Sequence, residues 1–134
     1  MSDEKNEPIK FNVTSKPVAA GGANTYPFND ITLKYGNLDV TAVTQAAILL
    51  VQLSDGTTLY YSAQMQDRGY RADWHAILYA QVNDVNIDHW DLGTLHAFCG
   101  TSPQQINFGV KPEYFDIVTG FEIVYTIVSP PARC

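Results

Sequence analysis

The sequence predicts an all-β protein, a single-domain β-sandwich with one or two short helices. Three features lead there. Apolar and polar residues alternate over short runs, as in Leu59, Tyr61, Ala63 and Met65 against Tyr60, Ser62 and Gln64. Turn formers interrupt the runs at near-regular spacing, for example Gly36-Asn37, Ser54-Asp55-Gly56 and Pro130-Pro131. Only Asp88 to Phe98 can be read with helical spacing.

In chain order, Ile9, Phe11 and Val13 alternate with Lys10 and Asn12 as a first strand, which Lys16-Pro17 and Gly21-Gly22 end. Tyr26-Pro27-Phe28 reads as an edge segment, because proline cannot donate to a sheet ladder. Ile31, Leu33 and Tyr35 form the next strand, and Leu38, Val40 and Val43 lead toward a central hairpin. Its first arm is the apolar run Ile48 to Val51, and Ser54-Asp55-Gly56-Thr57 supplies a tight primed turn. After the return arm, Asp67-Arg68-Gly69-Tyr70-Arg71-Ala72-Asp73-Trp74 mixes turn formers, arginines and large aromatics and reads as a loop. Trp74, Ala76, Leu78 and Ala80 then alternate with His75, Ile77, Tyr79 and Gln81. Asn86 or Asp88 can cap a short helix through Trp90, Leu92, Leu95 and Phe98. Ile106, Phe108 and Val110 make a strand closed by Lys111-Pro112, and Phe121 to Val128 makes the last one. The expected layout is a disordered leader at 1–8, the sandwich at 9–129 and a C-terminal tail at 130–134.

The composition narrows the function. With 134 residues, 46% hydrophobic and only 16% charged, the chain buries a core without staples. The net charge is −6 and the eight Lys and Arg are scattered, which argues against nucleic acid and against an anionic membrane as partners. Met1 to Glu7 lacks an apolar signal region, so synthesis in the cytoplasm is expected, with any release occurring without a signal. Of the two cysteines, Cys134 is terminal and expected to be mobile, and neither a disulfide framework nor a four-cysteine metal site is expected. His89, His96 and Cys99 match no zinc spacing, so no metal and no cofactor is expected. Cys99 with His96 lacks an orienting group, and there is no serine elbow, phosphate loop or isolated carboxylate pair. The chain therefore reads as non-enzymatic.

The candidate ligand-binding residues are Tyr70, Arg71, Trp74, Trp90 and Arg68. Tyr70 sits between two arginines beside Gly69 and has the amphipathic character of recognition loops. Arg68 and Arg71 are either solvated charges paired with Asp67 or Asp73, or a fork of donors for sugar hydroxyls, phosphate or carboxylate. Trp74 either packs on the opposing sheet or joins the loop surface, and Trp90 either packs on the sheet or stacks a ligand.

As an ordered set, these residues resemble the actinoporin-like superfamily, which unites pore-forming cytolysins and fungal fruit-body lectins. The resemblance runs from Ile9–Val13 through Asn24-Thr25-Tyr26, the hairpin at Ser54-Asp55-Gly56-Thr57-Thr58-Leu59 and Asn107-Phe108-Gly109-Val110-Lys111. It ends at Phe121-Glu122-Ile123-Val124-Tyr125-Thr126, which looks closer to the lectins. It implies a sandwich whose loop aromatics hold a headgroup, with Tyr70 and Trp74 on that loop and Trp90 on the neighbouring helix. Gln64 and Gln66 stand where the family has serine and proline, and Thr94 and Leu95 replace a tyrosine pair. The long inserting helix that precedes the first strand in pore formers has no counterpart before Ile9. The expected function is lectin-like binding of cell-surface glycans or lipid headgroups. The alternatives are a cytolysin or toxin relative that binds membrane lipid as a homo-oligomer, and a structural self-assembling protein.

Overall fold

The computed structural model describes residues 9–13, 18–20 and 22–134, with side chains from Gly22 onward. The expected leader at 1–8 lies outside the described residues. The strands are β1 (Ile9–Val13), β2 (Val18–Ala20), β3 (Ala23–Pro27), β4 (Ile31–Tyr35), β5 (Leu38–Leu53), β6 (Gly56–Asp67), β7 (Tyr70–Val82), β8 (Val85–Ala97), β9 (Thr101–Val110), β10 (Gly120–Ile127) and β11 (Ala132–Arg133). One helical turn, α1 (Tyr114–Ile117), joins β9 to β10.

The strands build two antiparallel sheets, so the expected all-β sandwich is what forms. One sheet runs β1, β10, β7, β8, with β11 continuing along β7 beyond β10. The other runs β2, β3, β5, β6, β9, with β4 beside the first half of β5. The alternating side chains fall as their period requires. Leu59, Tyr61, Ala63 and Met65 of β6 are buried, and so are Trp74, Ala76, Leu78 and Ala80 of β7 and Phe121, Ile123, Tyr125 and Ile127 of β10. Polar atoms carried into this core find partners across it. The Tyr61 and Tyr125 hydroxyls meet at 2.9 Å, the Trp74 indole N–H donates to Thr41 Oγ1 at 2.9 Å, and the Tyr26 hydroxyl donates to the Val118 carbonyl at 2.9 Å.

Several local expectations are corrected. Asp88 to Phe98 is not a helix but most of β8. Ala76 pairs with Gly93 and Ile77 with Asp91, which leaves Leu92 as an extra residue, and the register shifts again between Ala80 and Gln81. The shift moves the inward phase by one, so Leu92 and Leu95 are both buried at a spacing that imitates a helix. The Asp91 carboxylate accepts the Gly93 N–H at 2.7 Å, and Gly93 takes φ +77°, which closes the bulge.

The primed turn is not at Ser54-Asp55-Gly56, because neither Ser54 nor Asp55 has a positive φ. It joins β7 to β8 instead, where Asn83 (φ 50°) and Asp84 (φ 67°) bridge the Val82–Val85 pair. The loop expected from Asp67 to Trp74 shrinks to Arg68-Gly69, a corner that carries the chain from one sheet to the other. Finally, the C-terminal residues join the sheet, and the expectation of no disulfide is corrected. Ala132 and Arg133 pair with Arg71 and Tyr70, and Cys134 is disulfide-bonded to Cys99.

Candidate functional site

Asp67 organises one end of the sandwich. Its carboxylate accepts the Gly100 N–H at 2.5 Å and the Gly69 N–H at 2.7 Å, and its own N–H donates to the Gly100 carbonyl at 3.1 Å. Those donors, Gly100 first and Gly69 second, hold its carboxyl below the usual carboxylate range. Gly69 and Gly100 take φ +95° and +93°, a region costly for a side chain with a Cβ, so both corners depend on glycine. The Cys134 N–H donates to the Gly69 carbonyl at 2.9 Å, and the Cys99–Cys134 disulfide completes the junction. The β6–β7 corner, the β8–β9 corner and the C-terminal strand are thereby fixed to one another.

A cleft of about 330 Å³ opens at this junction, lined by Arg71, Asp73, His96, Phe98, Ser129 and Pro130 among others. Phe98 is 61% exposed, and its ring stacks on the His96 ring with centroids 5.9 Å apart and planes 21° apart. His96 Nδ1 in turn lies 2.8 Å from Asp73 Oδ1, which fixes the imidazole. The backbone beneath is held as well. The Phe98 N–H donates to Ser102 Oγ at 2.9 Å, and the Gln104 amide donates to the His96 carbonyl at 2.9 Å. Phe98 and His96 also border a second cleft of about 340 Å³, formed with Thr101, Pro103 and Gln104. The result is an exposed aromatic ridge between two shallow depressions, with charged and amide groups on its flanks.

The outer face of β7 and β8 continues this polar stripe. His75 Nε2 lies 2.8 Å from Asp91 Oδ1, and the Tyr79 and His89 rings are 5.6 Å apart. The Gly93 N–H, and after it His75, holds the Asp91 carboxyl below its ordinary range. All three histidines of the chain are thus engaged on one face.

The sequence-predicted residues divide. Arg71 lines the cleft. Arg68 is exposed at the corner beside it, and Tyr70 opens β7 half-buried, with the Arg133 guanidinium 5.7 Å from its ring centroid. Trp74 does not belong to a contact surface. It is 1% exposed, because its position on β7 faces the opposing sheet, where Thr41 accepts its N–H. Trp90 lies on a strand rather than a helix, half-buried against Phe108 and Tyr114, at ring distances of 5.5 and 6.1 Å. It stands six residues from His96 along β8, roughly 20 Å away by strand rise, so it does not join Arg71 at the cleft, and neither does Tyr70, which faces the other side of β7.

Sequence reasoning missed Phe98, His96 and Asp73 as a unit. The signal was present in the alternation of Leu95 and Ala97 against His96 and Phe98, which the helical reading obscured. The disulfide also removes Cys99 as a zinc ligand with His89 and His96, and as a nucleophile beside His96. Among the described residues, no group of three or more His, Cys, Asp or Glu is placed to hold a metal, and no helix is long and apolar enough to cross a membrane.

No family model matches the sequence, and no curated protein matches it. Among solved structures, the chain is similar to a family 29 carbohydrate-binding module, CBM29_1 from Piromyces equi. The identity is 8% and the TM-score 0.20, over 89% of this chain and 79% of that one. A likeness so weak carries no argument for fold or ligand.

Proposed function

We propose that this chain is a non-enzymatic recognition protein that binds a cell-surface glycan at the Phe98 cleft. The observation that carries the reading is the exposed Phe98 ring, held flat on His96 and flanked by Arg71, Asp73 and Gln104. A large apolar ring left 61% exposed beside fixed polar groups suits a pyranose, whose C–H face stacks on an aromatic while its hydroxyl rim takes hydrogen bonds. The kinship with actinoporin-like lectins remains part of this proposal. So does action outside the reducing cytoplasm, which the Cys99–Cys134 bond favours.

A glycan array probed with the full chain and with Phe98→Ala tests the reading. The parent chain is expected to bind at least one glycan class, and Phe98→Ala to lose ten- to hundredfold in affinity without a change in melting temperature. Equal binding by both proteins would move the site elsewhere. A second reading is lipid-headgroup binding, as in the cytolysin relatives. It is favoured by Val128, which is 55% exposed, and whose N–H donates to the Asp73 carbonyl beside the same cleft. Sedimentation with phosphatidylcholine vesicles separates the two readings, and the glycan reading expects the protein to stay in the supernatant.

A further inference from the structure

The arginines identify the ligand class, on the premise that the cleft binds a saccharide. The chain has three, Arg68, Arg71 and Arg133, and of these Arg71 lines the cleft. Arg68 precedes the Gly69 corner, and Arg133 pairs with Tyr70 and shares its face of the sheet, opposite to that of Arg71. The lysines with described side chains are elsewhere: Lys34 pairs with Asp39 at 3.6 Å, and Lys111 lies over the Tyr114 ring at 5.9 Å.

None of the three guanidinium groups has a carboxylate partner among the described residues. The two nearby carboxylates are already committed, Asp67 to the Gly69 and Gly100 N–H groups and Asp73 to His96. Arg71 is thus the cation of the cleft, exposed beside the Phe98 ridge and without a carboxylate partner among the described residues. A guanidinium fork matches a carboxylate in two parallel hydrogen bonds, which a lysine cannot supply.

We infer that the ligand is an acidic oligosaccharide, in which a uronic acid carboxylate pairs with Arg71 while a sugar ring of the same chain lies over Phe98. Clefts on both sides of the Phe98–His96 ridge let the chain continue past the aromatic, so an internal stretch rather than a terminal sugar is engaged.

Calorimetric titration of the full chain with tetrasaccharides of galacturonan, alginate and hyaluronan, each against its carboxyl-reduced form, tests this. At least one acidic form is expected to bind tenfold or more tightly than its reduced counterpart, with affinity falling as salt rises. Arg71→Ala is expected to erase that preference and leave the melting temperature unchanged, and Arg71→Lys to restore it only in part. Phe98→Ala is expected to weaken both forms. Equal binding of acidic and reduced forms, or a preference that survives Arg71→Ala, would overturn the acidic assignment and leave the glycan reading standing. Binding of neither form, together with an empty glycan array, would overturn the glycan reading itself.

Discussion

Replacing both Cys99 and Cys134 with serine tests whether the C-terminal strand is held as the fold requires. The bond spans 35 residues and so encloses β9, α1, β10 and β11. Loop-closure entropy for a cross-link of that span amounts to about 4 kcal/mol lost from the unfolded ensemble's constraint. For a chain of 134 residues, each kcal/mol moves the melting temperature by about 3.6 °C, so the double variant should melt roughly 10–15 °C lower. A local effect should accompany the global one. Without the bond, β11 keeps only the pairs Ala132–Arg71 and Arg133–Tyr70, the Cys134 N–H to Gly69, and the Arg133–Tyr70 stack. Two such pairs do not hold a strand end against fraying. Scanning calorimetry measures the first effect, and hydrogen exchange at residues 132–134 measures the second. A melting change under about 3 °C, with those amides still protected, would refute the reasoning.

Thr41→Val leaves the buried Trp74 indole N–H without its acceptor, which should cost about 1–3 kcal/mol in urea unfolding. Ligand affinity should be unchanged, since Trp74 lies in the core, and a loss of affinity without a loss of stability would return Trp74 to the site. The buried tyrosines predict alkaline sensitivity. Burial pushes Tyr26 and Tyr61 up to about 12 and holds Tyr125 well above its ordinary value. The folded state therefore keeps protons that the unfolded state releases above about pH 10. The tyrosine contribution should be flat below that pH and stability should fall as pH rises from 10 toward 12, by up to about 1.4 kcal/mol per pH unit for each tyrosine. Urea midpoints at pH 9, 10 and 11 check this, and a flat profile across that range would contradict it.

The parts legible in the sequence were those that a single strand determines by itself. The two-residue period at 59–65, 74–80 and 121–127 marks the inward face with no knowledge of the partner strand, and those residues are the core. Strand β8 was illegible for the converse reason. Its extra residue at Leu92 is forced by pairing with β7, so the apolar phase slips where only the ladder reveals it. The disulfide was hidden likewise, because residues 99 and 134 meet only once the sheets have packed. Arg71 was legible as a donor in an aromatic stretch. Phe98 was not, because a helix over 88–98 would have turned it toward the core.

The location of the site is open to one direct measurement, a backbone amide spectrum of the labelled chain titrated with the tightest-binding acidic tetrasaccharide. The account predicts shifts confined to Arg71–Asp73, His96–Gln104 and Ser129–Cys134, the segments that border the two clefts. Shifts centred instead on Trp90, Phe108 and Tyr114 would contradict it and assign recognition to the opposite end of β8.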